Sequence, residues 1–372
     1  MVTYDEAFKF KSGITVKNRL FMSPMTTLQS FFDGTITTDE LNYYAERANG
    51  VGAVITGVAN VEDGGKGWEG ELSIADDVYL PGLTKLASTI KNQGARAILQ
   101  IFDAGRMSTP EALNGKQAVS ASAVAAQHGN GKAKSAVPRE MTVDDIHATI
   151  AAFGEATRRA IQAGFDGVEL HGANLYLIQQ FFSPHSNRRT DEYGGSREKR
   201  YTFIKELLAS VFAAVDQYAD RPFLVGYRFS PEEFTEPGIT LDDTFYLVDQ
   251  LAETRLDYLH VSLSNYDRKS RSTEYQDKSI LAYLHDYLAG RKPLIGVGGV
   301  RNRQDVTGLL QNAEFAAVGQ QLLVDPTWVQ KLETGHDADM VTADFVDAIE
   351  YTHFNRPLYN FLVARYASEP NF

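Results

Sequence analysis

The chain has 372 residues, 43% of them hydrophobic and 23% charged, enough for one large globular domain or two ordinary ones. Its 36 basic and 48 acidic side chains give a net charge of −12, which repels polyanions and makes nucleic acid a poor partner. It has no cysteine, which excludes disulfides, thiolate metal sites, iron–sulfur clusters and thiol nucleophiles, and no apolar run long enough to cross a membrane.

The opening residues Met1-Val2-Thr3-Tyr4-Asp5-Glu6 lack the basic and apolar regions of a signal peptide, so a cytoplasmic address is expected. Phe8–Val16, turning at Ser12-Gly13, reads as a hairpin. Strand one, Leu20–Met25, leads to a helical stretch at Asp39–Ala48. Strand two, Ala53–Val58, leads to one at Leu80–Lys91. Strand three, Ala97–Phe102, is followed by Met107–Pro138, a long stretch rich in Ala, Ser and Gly with little periodicity. Thr142 then reads as an N-cap with Asp145 three residues on. It opens a helix whose stripe is Ile146, Ile150, Phe153, Thr157, Ala160 and Ile161, ending at Gly164.

Strand four, Gly167–His171, precedes a helix over Ser196–Val215, and strand five, Phe223–Arg228, precedes Leu241–Glu253. Strand six, Tyr258–Ser262, is paired with Ser279–Leu288, strand seven, Leu294–Val297, with Arg303–Gln311, and strand eight, Ala316–Gly319, with Pro326–Leu332. The strands are short and apolar throughout, as parallel strands buried on both faces are. Eight such pairs predict an α/β fold, a (β/α)₈ TIM barrel in one domain spanning residues 1–372. The hairpin is expected to close its bottom, and the excursion after strand three to cross its top face.

Polar residues gather at the strand ends. Strand four ends in His171, with Asn174 and Tyr176 just beyond. Strand one ends in Ser23-Pro24-Met25-Thr26, strand three reaches Gln100, and strand five ends in Arg228. Taken from the residues alone, such groups fit either local turn networks and ion pairs or a substrate grip at the face where barrels carry their chemistry. After strand seven, Gly296-Val297-Gly298-Gly299-Val300 leads into a helix, a pattern that fits a phosphate turn or a tight turn without a ligand. Arg301 stands where a dinucleotide-binding Gly-x-Gly-x-x-Gly needs its last glycine, so that motif is absent.

The segments His171-Gly172-Ala173-Asn174-Leu175-Tyr176 and Ser183-Pro184-His185-Ser186-Asn187-Arg188-Arg189-Thr190-Asp191-Glu192-Tyr193-Gly194-Gly195-Ser196 resemble the signature of the Old Yellow Enzyme family of FMN-dependent ene-reductases. Ser23-Pro24-Met25-Thr26, Gln100 with Ala104-Gly105-Arg106, Ala163 to Glu169, and Gly298-Gly299-Val300 extend the resemblance over nearly the whole chain. It implies a non-covalent FMN, with NADH or NADPH as electron donor and a small electron-poor substrate such as an enone. By motif, Pro24, Met25, Thr26, Gly57, Gln100 and Arg228 would line the flavin ring, with Ser262 a further neighbour. Gly298, Gly299, Gly319 and Gln320 would hold the phosphate end. His171 and Asn174 would bind the substrate carbonyl, and Tyr176 would supply a proton; no metal is expected.

That assignment is chemically coherent. Hydride addition to an α,β-unsaturated carbonyl needs donors at the oxygen and an acid at the α-carbon. Two departures stand out. Gln320 occupies the place of the family's arginine after strand eight, which removes a charge-assisted phosphate contact that a backbone site and another base would have to replace. Asp103 stands where the family commonly has histidine. A flavin-binding protein, an NAD(P)H oxidase, a quinone or nitro reductase, or a non-redox phosphate-binding barrel are the alternatives. An aromatic tail, Tyr351–Phe372, is a candidate for packing on a second copy in a homo-oligomer.

Overall fold

Strands β1 (Leu20–Met22), β2 (Ala53–Asn60), β3 (Arg96–Phe102), β4 (Gly167–Gly172), β5 (Leu224–Phe229), β6 (Tyr258–Val261), β7 (Leu294–Val297) and β8 (Phe315–Val318) form a parallel sheet. Each pairs with the next, and β1 pairs with both β8 and β2, so the sheet closes into a barrel. The computed structural model describes residues 3–127, 135–341 and 352–366. Residues 128–134 of the expected excursion, and 351 and 367–372 of the aromatic tail, lie outside the described residues.

The strands are buried along almost their whole length, which is why they read as unbroken apolar runs instead of alternating ones. Most strand ends fall within one residue of the sequence expectation, and two differ by more. β1 stops at Met22 because Pro24 lacks a ladder N–H, although Ser23 N still donates to Val318 O at 2.9 Å. β2 continues to Asn60 across an irregularity between Ile55 and Val58, which sets Thr56 and Gly57 out of register with β3.

Among the described residues the α-helices are α1 (Thr38–Arg47), α2 (Leu80–Asn92), α3 (Val143–Gln162), α4 (Leu177–Phe182), α5 (Arg197–Arg200), α6 (Thr202–Tyr218), α7 (Leu241–Ala252), α8 (Ile280–Leu288), α9 (Arg303–Leu309), α10 (Gln320–Val324), α11 (Trp328–Thr334) and α12 (Arg356–Tyr366). α3 begins as its sequence suggests: the Thr142 hydroxyl accepts from Asp145 N, and the Asp145 carboxylate accepts from Thr142 N. The stretch expected as one helix over Ser196–Val215 is divided at Tyr201, whose φ −76° and ψ −17° keep the chain near helical.

The barrel interior has two levels. At the bottom, Phe10, Ile14 and Val16 of the N-terminal hairpin pack with Phe21, Tyr258 and Phe315. The Phe10 and Phe315 rings stack at 5.3 Å, so the hairpin plugs that end with aromatic carbon. The upper interior is polar, and the functional side chains stand there. After β3, a short strand at Val119–Ser120 pairs with Arg139–Glu140, fastening both ends of the excursion. The described part of the tail packs on its own barrel, with Leu358 and Leu362 buried and Asn355 N donating to Gln29 Oε1 at 3.2 Å. Among the described residues no helix is long and apolar enough to cross a membrane.

Candidate active site

Parallel register brings the upper-level side chains to common heights. Gln100 of β3 stands opposite Glu169 of β4, and Arg228 of β5 stands opposite both His171 of β4 and His260 of β6. Glu169, fully buried, accepts from Gln100 Nε2 at 2.6 Å, and its other oxygen lies 3.0 Å from His260 Nδ1. Burial holds the His260 imidazole below its ordinary pKa, with Arg228 adding to the effect against the opposing pull of Glu169. Glu169 thereby fixes Gln100 and His260 beneath the barrel mouth, a role that no motif in the sequence announces.

Above this layer, Arg228 Nη2 donates to Ser262 Oγ at 3.2 Å, and Ser262 Oγ donates to Asn174 Oδ1 at 3.0 Å. Asn174 is exposed at the mouth with φ +57°, and Leu175 follows at φ +69°, a left-handed pair rare for non-glycine residues. Three side chains hold it: Ser230 Oγ accepts from Asn174 N, Gln179 Oε1 accepts from Leu175 N, and Gln180 Nε2 donates to Leu175 O. These supports were not apparent from sequence, since they join β5 and α4 to a loop through individual side chains.

The reversal carries Tyr176 back over His171, ring centroids 5.0 Å apart and edge to face. Phe102 and Trp68 complete an apolar wall around Tyr176, at 5.0 and 6.3 Å. Burial drives the His171 pKa well below the ordinary imidazole value, and Arg228 and His260 push the same way, so this ring is neutral. Burial likewise raises the Tyr176 phenol well above its ordinary range, reinforced by Glu71, so the hydroxyl keeps its proton.

On the opposite side, Pro24 is buried and Met25 and Thr26 are half-buried. Met25 lies between two glycines. A Cβ added at Gly57 would come within 2.7 Å of Met25 O, and one at Gly319 within 2.9 Å of Met25 Sδ. Gly57 N donates to Tyr44 OH at 2.6 Å. The loop carrying Thr26 is pinned from below by Glu40, which accepts from Thr27 Oγ1 and Ser30 Oγ, each at 2.8 Å.

The expected phosphate end differs from the sequence reading in one respect. Gly298 (φ +110°) and Gly299 (φ +71°) do form a tight left-handed turn, and a Cβ at Gly298 would strike the backbone of residues 263–265. The start of α9, however, is not open to an anion: Asn302 caps it, and the Asp305 carboxylate accepts from Arg301 N and Asn302 N. Its own carboxylate answers the helix dipole. Gly319 and Gln320 begin α10 beside this turn, and Gln320 Oε1 accepts from Arg301 Nη2 at 3.3 Å. Asp103 turns away from this chemistry: its Oδ1 accepts from Gly105 N at 2.7 Å, its Oδ2 lies against Gly65, and burial with Glu62 nearby raises its pKa well above the usual carboxylate range.

His171 Nδ1, Arg228 Nε and His260 Nε2 are buried without a hydrogen-bond partner among the described residues. Buried polar atoms ordinarily find partners, so several orphans in one barrel mouth fit a polar ligand with nitrogen and oxygen edges, as a flavin has. No cluster of metal-ligating side chains occurs among the described residues.

Comparison with known proteins gives this geometry a family. The profile of the NADH:flavin oxidoreductase / NADH oxidase family matches residues 6–339. An NADH:acrylate oxidoreductase of Vibrio harveyi is 47% identical over 91% of this chain, which spans only 33% of that relative's length. The probable NADH-dependent flavin oxidoreductase YqiG of Bacillus subtilis is 42% identical, covering 96% of this chain and 95% of its own. In structure, the old yellow enzyme homologue of Zymomonas mobilis superposes with a TM-score of 0.79 over 97% of this chain and 99% of its own, at 23% identity, and shows the same barrel. The chain belongs to the NADH:flavin oxidoreductase / NADH oxidase family, an FMN-binding family, and shares the barrel fold of the Zymomonas protein.

Proposed function

We propose that this protein uses NADH or NADPH, through FMN, to reduce the activated carbon–carbon double bond of small α,β-unsaturated carbonyl compounds. The observation that carries the reading is the convergence of a neutral His171, a braced Asn174 and a protonated Tyr176 on one apolar-walled mouth. Bound FMN supplies the hydride, which no side chain can provide.

The protein's own part is to hold the substrate and move a proton. Asn174 Oδ1 is engaged by Ser262, so its amide nitrogen is the group left to donate. Together with an N–H of the neutral His171 ring it polarises the substrate carbonyl and stabilises negative charge developing on that oxygen. The Tyr176 hydroxyl gives its proton to the α-carbon. Phe102 and Trp68 exclude water from the side where that transfer occurs. Pro24, Met25, Thr26, Gly57 and Gln100 would line the flavin, and Arg228 would place its positive charge at the pyrimidine edge, where negative charge gathers on reduction. Gly298, Gly299, Gly319 and Gln320 would surround the phosphate. The whole described chain serves this one barrel site.

A second reading is favoured by length. This chain matches only a third of the Vibrio acrylate enzyme, so it can act as the NADH-oxidising part of a longer electron path, passing electrons to quinones, nitro compounds or a partner domain. One experiment separates the two. The purified protein is assayed for bound flavin, then for NADH and NADPH oxidation with cyclohexenone, a quinone, acrylate or oxygen alone. Stoichiometric reduction of cyclohexenone supports the first reading; turnover with quinone and none with any enone supports the second.

A further inference from the structure

We propose that the loops after β5 and β6 hold the adenosine diphosphate half of NADH or NADPH, with Lys269 and Arg271 on the diphosphate and Phe234 against the adenine. The inference rests on the flavin reading above. A donor that reduces the flavin must bring its nicotinamide into the mouth where Asn174 stands, and its diphosphate then lies one ribose further out. The chain carries a net charge of −12, yet Arg268-Lys269-Ser270-Arg271 places three cations in four residues. Asp267 and Glu274 flank the run, so the excess of positive charge is confined to this turn.

The turn is built beside the mouth. Ser230 Oγ accepts from Asn174 N at 2.9 Å, and Glu232, two residues along the same loop, anchors the turn. The buried Glu232 carboxylate accepts from Arg268 Nη2 at 3.1 Å, from Ser270 Oγ, and from Arg271 N at 3.2 Å. On the other side, Ser262 holds Asn174 Oδ1 from the loop that runs on to Arg268. Two residues of chain span at most about 7 Å, so the basic turn borders the place where a nicotinamide docks.

The three cations do different work. Glu232 answers the Arg268 charge within the protein, one carboxylate against one guanidinium. Lys269 and Arg271 are exposed. Arg271 Nη1 donates to Glu233 O at 2.7 Å, which fixes the arm without cancelling its charge, since a carbonyl is neutral. Phe234 is 62% exposed, with Arg268 Cζ 5.7 Å and Arg271 Cζ 5.0 Å from its ring centroid. An exposed aromatic ring beside fixed cations matches an adenine joined to a diphosphate, the one by stacking and the other by charge.

The test is calorimetric titration of the flavin-loaded protein with 1,4,5,6-tetrahydro-NAD, which has the dinucleotide frame and no hydride to give. Lys269→Ala with Arg271→Ala should weaken its binding about ten-fold or more, and added salt should bring the parent toward the variant. Phe234→Ala should weaken it about five-fold or more. ADP-ribose, which lacks the nicotinamide, should compete with tetrahydro-NAD in the parent. Flavin reduction by 1-benzyl-1,4-dihydronicotinamide, a donor without phosphate or adenine, should stay within about two-fold of the parental rate, which shows that the variants are folded. Undiminished tetrahydro-NAD affinity in the double variant, a matching loss with the benzyl donor, or ADP-ribose that binds without competing overturns the assignment. A parent whose flavin is reduced by the benzyl donor but by neither NADH nor NADPH would instead defeat the donor part of the flavin reading, and this inference with it.

Discussion

Ser262 Oγ donates to Asn174 Oδ1 at 3.0 Å, joining the end of β6 to the loop after β4. The bond decides which end of the Asn174 amide faces the mouth, because a carboxamide whose oxygen is engaged presents its nitrogen. Ser262→Ala leaves the strand intact and removes this brace. Binding of a para-substituted phenol, a probe for the carbonyl-oxygen position, is expected to weaken about five-fold, the loss of roughly one hydrogen bond. Absorbance titration of the flavin band measures it. Unchanged affinity would mean that Ser230, through Asn174 N, suffices to orient the residue.

Removing both donors should do more. His171 is neutral and buried, and its Nδ1 has no partner among the described residues, so a ligand oxygen meets an already desolvated group. His171→Ala with Asn174→Ala is expected to reduce phenol affinity about a hundred-fold or more, the scale of a lost oxyanion-type pair. The same titration reads the outcome. A double variant that binds phenols as the parent does would place the oxygen elsewhere in the mouth.

The barrel was legible in the sequence because its strands are buried on both faces and its helices carry apolar stripes, α3 with a complete capping box. The mouth was legible because short stretches of sequence hold whole pieces of it: residues 171–176 bring His171 against Tyr176 by local chain reversal. What escaped was contact between distant elements. Glu169 reads as one more residue in an apolar strand, yet it fastens Gln100 and His260 across three strands. Trp68 lies in a loop with no pattern, and only the fold sets it beside Tyr176. The helix after the glycine turn misled in the opposite sense. Its N-terminus invites an anion on paper, but Asp305 reaches back to fill it.

Glu40 makes the stability of this face depend on pH. Burial raises its carboxyl from the ordinary 4.5 to about 7, against the opposing hydrogen bonds of Thr27 and Ser30. Between those values the folded chain holds a proton that the unfolded chain releases. The stabilising contribution is therefore complete below about pH 4.5 and is lost as pH rises through about 7. Glu40→Gln cannot ionise and removes this loss. Its unfolding free energy should match the parent near pH 4 and exceed it by up to about 3 kcal/mol near pH 8. Denaturant unfolding at the two pH values checks the sign. A variant weakened equally at both would show that the carboxyl is needed as a charged acceptor for Thr27 and Ser30.

Tyr176 allows the two half-reactions to be told apart. Oxidation of NAD(P)H at the site requires no proton at a substrate α-carbon, whereas reduction of an enone does. Tyr176→Phe keeps the edge-to-face contacts with His171 and Phe102 and removes only the hydroxyl. Bleaching of the flavin band by NADH or NADPH should proceed at close to the parental rate. Its return with cyclohexenone should slow by about 10²–10⁴-fold, the usual range for a lost general acid. Quinones, which need no carbon protonation, should restore the band as quickly as in the parent. Burial keeps the phenol protonated well beyond neutral pH, so the parental enone rate should show no fall attributable to this group between about pH 6 and 9. Rapid-mixing absorbance resolves each step. If Tyr176→Phe is reoxidised by cyclohexenone as fast as the parent, the proton comes from another group, and Tyr176 serves only as part of the apolar wall with Phe102 and Trp68.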